Sequence, residues 1–462
     1  MPWSQSQPSL FRDNFDRLHD ACTLPLTRNL AVPMGSHTTV AKSRYVELDG
    51  MRALSVLAVF LFHITPAMTA ISRIGWDPHV AIGRYTIRPP MTVAEYIVHL
   101  NVGVQIFFVL SGFLITSMFV RPHLEGRALP SGIGYAIRRA TRVFPAYWLV
   151  LFVAGVTWFG LVESVDGTTV PMLRFPLPFG LWKHLTLTYM YFREQLIPGY
   201  GVNYGGLPVA WSLVVEITFY GFVPCWLLLC KAARAASSSR RLLIGALSCI
   251  PVGIVCGVVS AYGGEWAMRT PLGGVVSVFG NALISLGIGM ALAVVAAAAH
   301  NDPDLSTKLR RLGERAGIWW AGAAMVYLVL AWPDSNYIDA TSGELLWRQL
   351  VQPVVAGVLI APFVLAPGAK SAIHRALRVR VLIWVGTISY GVYLWHILAI
   401  NKMVVGRSLT EYNVLEASLL VTAMWLVTIS LAAASWYFVE RPLLNLAGRL
   451  GSRSNAVVAE AS

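Results

Sequence analysis

Ten stretches of roughly twenty predominantly apolar residues dominate this chain, and no other feature limits its fold so strongly. They cover 52–71, 101–120, 143–162, 210–230, 242–262, 272–299, 317–333, 349–368, 381–401 and 414–438. At about 1.5 Å of rise per residue, each is long enough to cross a hydrocarbon core about 30 Å thick as a helix. In lipid, backbone amides must be satisfied within the protein, which leaves helices or closed barrels as the spanning structures. The expected fold class is therefore all-α, a polytopic membrane protein of about ten transmembrane helices. Composition points the same way: 56% of the 462 residues are hydrophobic and only 13% are charged, about half the charged fraction of a soluble chain. The segment 181–192 is apolar but short, a candidate re-entrant or interfacial helix. It lies in the longest connection, 163–209, which is rich in Pro, Gly and aromatics. The chain shows no internal repeat.

The net charge is +13, and its distribution gives an orientation. When the connections are assigned alternately to the two sides, one side carries 26 of the 36 Lys and Arg residues, whereas Asp and Glu divide evenly. A bias confined to basic residues is the positive-inside pattern. It places both termini in the cytoplasm and accounts for the basic charge with the lipid bilayer as partner and no nucleic acid. Residues 1–43 read as a mobile cytoplasmic tail without the apolar core of a signal peptide. Residues 44–446 read as one transmembrane domain, and 447–462 as a cytoplasmic C-terminal tail. The five cysteines (Cys22, Cys225, Cys230, Cys249 and Cys256) have no metal-type spacing, so neither a metal site nor a disulfide framework is expected.

Ionisable side chains inside spanning helices are costly and mark functional sites by default. His63 stands eleven residues after Arg52 in the first stretch. Eleven steps of about 100° return to nearly the same face, about 16 Å along the axis. Asp49, three residues before Arg52, can pair with it at the helix start. A packed histidine bonded to a neighbouring helix is the plainer reading of His63. The third stretch opens with RRATRVFPAYW, in which Arg138, Arg139 and Arg142 sit at i, i+3 and i+4 spacings. Guanidinium forks suit phosphate, although a topological anchor would look the same. In the fourth stretch, WSLVVEITFY places Ser212, Glu216 and Tyr220 on one polar stripe. In the ninth, SYGVYLWH places Ser389, Tyr393 and His396 on another, with Tyr390 beside it. An interfacial histidine is the plainer reading of His396. Ser111, with Gly103 and Gly112 in GVQIFFVLSGFLIT, reads first as close helix packing.

Six strings, ELDGMRALSVLAVFLFH, GVQIFFVLSGFLIT, RRATRVFPAYW, WSLVVEITFY, ISYGVYLWH and FVERP, follow in that order between residues 47 and 442. Together they resemble the acyltransferase 3 family of membrane-bound O-acyltransferases. Gln105 stands where many members carry an acid, and no hydrolase-like domain is expected after the last stretch, unlike in the longer, fused members. The resemblance implies a ten-helix core that takes acyl groups from cytoplasmic acyl-CoA, most often acetyl-CoA. The acyl group goes to a hydroxyl of a carbohydrate acceptor, often beyond the membrane. The family's Arg/Lys-x10-His motif falls on Arg52 and His63, and its Arg-x-x-Arg motif, associated with the acyl donor, on Arg139 and Arg142. No permanently bound cofactor is implied; acyl-CoA is a co-substrate.

O-acylation needs a hydroxyl made nucleophilic beside an activated thioester, and imidazole is the usual base near neutral pH. His63 can deprotonate the acceptor for direct attack or first take the acyl group itself. A bacterial surface glycan such as O-antigen or exopolysaccharide is the leading acceptor, with a macrolide or other small glycoside as the alternative. A proton-coupled transporter of an anionic solute is the alternative of another class, but it would show paired broken helices, which are not seen. The topology is checked by Asp166→Cys and Lys308→Cys in a cysteine-free background. A membrane-impermeant thiol reagent on intact cells is expected to label position 166 and to leave 308 unlabelled.

Overall fold

A computed structural model describes residues 45–64, 99–158, 162–165, 168–171, 181–191, 207–232, 238–264, 266, 270–331, 342–404 and 414–448, all within the unit Tyr45–Ser462. The expected tail 1–43, residues 449–462 of the expected tail 447–462, and Tyr200 and Tyr204 of the longest connection lie outside the described residues, whereas Ala447 and Gly448 are helical. Among the described residues, seven helical segments are long and apolar enough to cross a membrane. They are a 3-10 turn at His99–Asn101 leading into α2 (Val102–Leu124), α5 (Trp211–Ala232), the pair α6 (Ser238–Leu247) and α7 (Cys249–Tyr262), the pair α8 (Pro271–Val275) and α9 (Asn281–His300), α12 (Ser342–Leu365), α14 (Arg380–Val404), and α15 (Val414–Ser435) with the turn that follows it. With these the chain is a multi-pass membrane protein. The other three expected stretches are also helical, as α1 (Val46–His63), α3 (Gly132–Trp158) and α11 (Ala316–Ala331). The first two carry charges near their starts, and α11 has only 16 residues.

Three differences from the expected layout have physical causes. First, α1 begins at Val46, six residues before the expected stretch, and closes at His63, capped by Ile64; residues 65–71 of that stretch lie outside the described residues. Pro66 follows two residues later, and proline disfavours helical backbone at the residue before it. His63 is thus the last residue of its helix. Second, β1 (Val162–Val165) pairs antiparallel with β2 (Thr168–Pro171), so the described residues include one small strand pair beside the helices and turns. β-branched Val and Thr suit that pleated pairing. Third, the segment 181–192 contributes only a short helix, α4 (Leu181–Leu185). It is held against α3, where the Tyr147 hydroxyl donates to the His184 carbonyl (2.8 Å) and the Trp148 indole N–H to the Leu185 carbonyl (2.9 Å).

The interior is built where α1, α2, α3, α5, α9 and α14 meet, with Val56, Phe108, Tyr147, Val214, Leu286 and Leu394 buried there. Outward faces of α7, α11 and α15 expose Val255, Ile318, Met325, Leu419 and other large apolar side chains, the arrangement that a lipid solvent accommodates. Three helix contacts depend on the absence of a Cβ. On α2 and α9, a Cβ at Gly112 would meet the Leu286 carbonyl oxygen, and one at Gly289 the Val109 carbonyl oxygen and the Phe113 nitrogen. At the start of α1, Gly50 lies against the backbone of Leu377 in α13 (Ala372–Leu377), and Gly386 of α14 against the backbone of Asp49. The buried Glu47 carboxylate completes that corner. It accepts from the Gly368 N–H (3.0 Å) and from the Arg378 guanidinium, which also donates to the Ala369 carbonyl (2.9 Å).

Backbone-to-backbone contact at Gly289 leaves no flexible side chain to give way. Gly289→Ala is expected to destabilise the protein by about 1–3 kcal/mol, the usual cost of overpacking. The expected readout is a lower unfolding midpoint in detergent, whereas Gly322→Ala, at a position with open space, leaves the midpoint unchanged or raised.

Candidate active site

A cavity of about 120 Å³ lies among α1, α2, α3, α5 and α14. That is smaller than the roughly 300–1,000 Å³ typical of drug-sized ligands, so it suits one charged group better than a whole nucleotide. Among its lining residues are Arg52, Ser111, Arg139, Arg142, Ser212, Glu216, Tyr220, Ser389, Tyr390 and Tyr393. The helical spacings explain how. Ser212, Glu216 and Tyr220 stand one turn apart on α5, as do Ser389 and Tyr393 on α14, so each set occupies one face. Arg139 and Arg142 come from the first half of α3, and Arg52 from the second turn of α1.

Three guanidinium groups and one carboxylate thus line a space between apolar helices. Each has partners. Arg52 Nη1 lies 3.4 Å from Asp49 Oδ1. Arg139 sits over the rings of Tyr135 (5.7 Å) and Tyr220 (5.4 Å), with Nη2 toward the sulfur of Met118. Arg142 lies between the rings of Tyr390 and Trp436, 5.6 Å from each, and 3.7 Å from Glu440 Oε2. Cation–ring contacts gain strength when desolvated, reaching about 2 kcal/mol. Glu216 Oε1 accepts from the Tyr220 hydroxyl (2.5 Å). Proline helps to fix this tyrosine, because Pro224 has no N–H for the Tyr220 carbonyl four residues earlier. The Tyr135 hydroxyl donates to that carbonyl at 3.1 Å. Likewise the Tyr390 hydroxyl donates to the Val143 carbonyl of α3 (2.7 Å).

Beyond Tyr393 the polar set continues into a pair of imidazoles. The Tyr393 hydroxyl donates to the Val209 carbonyl (2.9 Å) and lies 2.8 Å from Ser212 Oγ. Its ring centroid is 5.7 Å from that of His396. His396 Nε2 is 3.2 Å from His63 Nδ1, with ring centroids 4.9 Å apart. The interfacial reading of His396 is corrected here: its exposure is 0%, and it lies eight residues inside the end of α14. Neither histidine lines the cavity, nor does Arg138, which is half-buried beside Gly134 on α3. Asp49 is not among the cavity-lining residues and pairs with Arg52, which is. Of the aromatic residues in the 163–209 connection, Tyr191 bonds Thr218 (2.7 Å), Tyr189 stacks on His184, and Trp182 is exposed.

Glu440 was not singled out from the sequence, although it belongs to the FVERP string. It is 2% exposed and ends a π-helical turn, Trp436–Glu440, that follows α15 directly. Such turns insert one residue into a helix and recur at functional sites. Here the turn brings both Trp436 and Glu440 to Arg142. The available signal was an acid two residues beyond the last apolar stretch, beside an arginine.

Comparison with known proteins follows the same segments. The chain is 25% identical over 88% of its length to the peptidoglycan O-acetyltransferase OatA of Listeria monocytogenes and covers 57% of that protein. It is 28% identical to YrhL of Bacillus subtilis over 89% of this chain and 56% of the relative. Nodulation protein 10 of Rhizobium leguminosarum is 23% identical over 77% of this chain and 85% of its own length. The chain thus spans little more than half of the first two. No solved structure matches it. Residues 45–439 match the acyltransferase domain that defines the acyltransferase 3 family, and the chain, carrying that domain over most of its length, belongs to this family.

Proposed function

We propose that this protein is an acyl-CoA-dependent O-acyltransferase of the bacterial inner membrane. On this reading it crosses the bilayer ten times with both termini cytoplasmic. It transfers an acetyl group from cytoplasmic acetyl-CoA to a hydroxyl of a carbohydrate, a surface glycan. The observation that carries the reading is the cavity lined by Arg52, Arg139 and Arg142 and joined through Tyr393 to the His63–His396 pair. Three guanidiniums beside one carboxylate favour an anionic group, as a CoA phosphate would supply. The space takes one such group, so most of the nucleotide would stay on the cytoplasmic side, where the α3 arginines begin. The relative named a peptidoglycan O-acetyltransferase supports both the acetyl group and the glycan acceptor.

The chemistry then needs one unprotonated imidazole nitrogen. His63 takes the proton of the acceptor hydroxyl as the oxygen attacks the thioester carbonyl, and the C–S bond breaks. The CoA thiolate leaves and receives that proton from His63. In the covalent variant the same nitrogen attacks the thioester carbonyl and expels the CoA thiolate. The acceptor oxygen then attacks the acetyl carbon, the C–N bond breaks, and the hydroxyl proton passes to the thiolate, so both routes place the demand on the same ring.

His63→Ala is expected to reduce acetyl transfer in proteoliposomes by about 100-fold or more, the scale of general-base catalysis, with membrane insertion retained. Transfer near the wild-type rate in folded mutant would defeat the catalytic assignment. Arg139→Ala and Arg142→Ala each remove charge-assisted contacts worth about 1.5–3 kcal/mol. The apparent KM for acetyl-CoA is expected to rise about ten-fold or more in each. Unchanged acetyl-CoA affinity in both variants by calorimetry would reduce these arginines to topological anchors.

A further inference from the structure

The two imidazoles form a directed chain of hydrogen bonds. His396 Nδ1 lies 2.7 Å from the Tyr393 carbonyl oxygen, and His63 Nδ1 lies 2.9 Å from the Val59 carbonyl oxygen. A carbonyl oxygen only accepts, so each Nδ1 must carry hydrogen. A neutral imidazole has one ring hydrogen, which leaves Nε2 bare on both rings. His396 Nε2, 3.2 Å from His63 Nδ1, is therefore a second acceptor for the hydrogen on His63 Nδ1. The opposite tautomer of His63 would aim a bare Nδ1 at two lone pairs at once, one on the Val59 oxygen and one on His396 Nε2.

We propose that His396 is a positioning residue that holds His63 in the Nδ1–H tautomer and so presents Nε2 of His63 as the base. The proposal rests on the assignment of His63 as the base under the function proposed above. Its anchor reaches back to the cavity. Tyr393, whose carbonyl orients His396, is tied by its hydroxyl to Val209 and lies beside Ser212. Complete burial of His396 removes water as a competing partner.

The same bonds act during the reaction. When His63 Nε2 takes the hydroxyl proton, the ring becomes an imidazolium with hydrogen on both nitrogens. Its Nδ1–H bonds to Val59 and His396 then become charge-assisted and roughly twice as strong. When the proton passes to the departing CoA thiolate, the ring returns to the neutral Nδ1–H form, ready for another cycle. No proton is gained or lost over the cycle, and His396 stays neutral throughout. Second partners of this kind fix ring orientation at metal-bound histidines as well.

The test compares three replacements of His396 in purified protein reconstituted in proteoliposomes. The probes are acetyl-CoA and the source cell's own surface polysaccharide, stripped of O-acetyl groups with mild base. His396→Phe keeps the ring volume without an acceptor. His396→Asn keeps polarity but is too short to reach His63. His396→Gln can place its amide oxygen near the lost Nε2. The Phe and Asn variants are expected to lose about 10–100-fold in kcat, as removal of such partners does, with KM for acetyl-CoA within about two-fold. The Gln variant is expected to recover most of that loss. A structural role alone would not produce rescue by Gln with an unchanged KM. If His396→Phe does not fold, the comparison of Asn with Gln decides. Folded Phe or Asn variants with more than about half the wild-type kcat would overturn the proposal, as would a Gln variant as slow as Asn. His63→Ala assayed in parallel separates the failures. Full activity there defeats the base assignment itself, whereas an inactive His63→Ala beside an active His396→Asn defeats only the role of His396.

Discussion

Charge held between apolar helices governs this architecture. An arginine inside a membrane protein is tolerated where it faces the bundle interior and finds partners. Arg52, Arg139 and Arg142 find theirs on their own and on neighbouring helices: Asp49 beside the first, the faces of Tyr135 and Tyr220 under the second, and two rings with Glu440 around the third. Aromatic faces share the task with carboxylates. A ring attracts the cation without adding a full negative charge to the cavity, so the wall stays electropositive. Had all three arginines been matched by carboxylates in the cavity wall, no attraction for an anion would remain.

That arrangement requires α1 to be fixed closely against its neighbours. The approach at Gly50 and Gly386 sets the corner from which Arg52 enters, and Glu47 locks it to the turn that follows α12. At the far end of the same helix stands His63. One rigid element thus carries both a residue of the cavity wall and one of the imidazole pair, about 16 Å of helical rise apart. A shift of α1 would move both together.

Much of this was legible in the sequence. The apolar lengths located the long helices; the i, i+4, i+8 stripe of Ser212, Glu216 and Tyr220 on α5 meets Ser389 and Tyr393 of the α14 stripe, with Tyr390 beside them, at one cavity. What periodicity could not show depends on contacts or on departures from 3.6 residues per turn. The π-helical turn that carries Trp436 and Glu440 to Arg142 is such a departure. The early end of α1 lies in a proline beyond an apolar run that continues past it, and hydropathy does not register the break. Spacing put Arg138 with Arg139 and Arg142, but α3 leaves it half-buried beside Gly134, outside the cavity lining. His396 looked interfacial because it lies toward the end of its apolar stretch; only the packing of α14 against α1 shows that it is enclosed.

Pro224 has a consequence for how the chain is made. A carbonyl without its helical donor is a liability in hydrocarbon, where no water can replace the lost bond. Helix α5 therefore enters the bilayer with one acceptor incomplete, on Tyr220, and the hydroxyl that completes it belongs to Tyr135 of α3. Since α3 precedes α5 in the chain, the ribosome has already delivered the partner when the demand arises. Synthesis order and bonding order coincide, and the proline acts as an assembly instruction that directs α5 to α3.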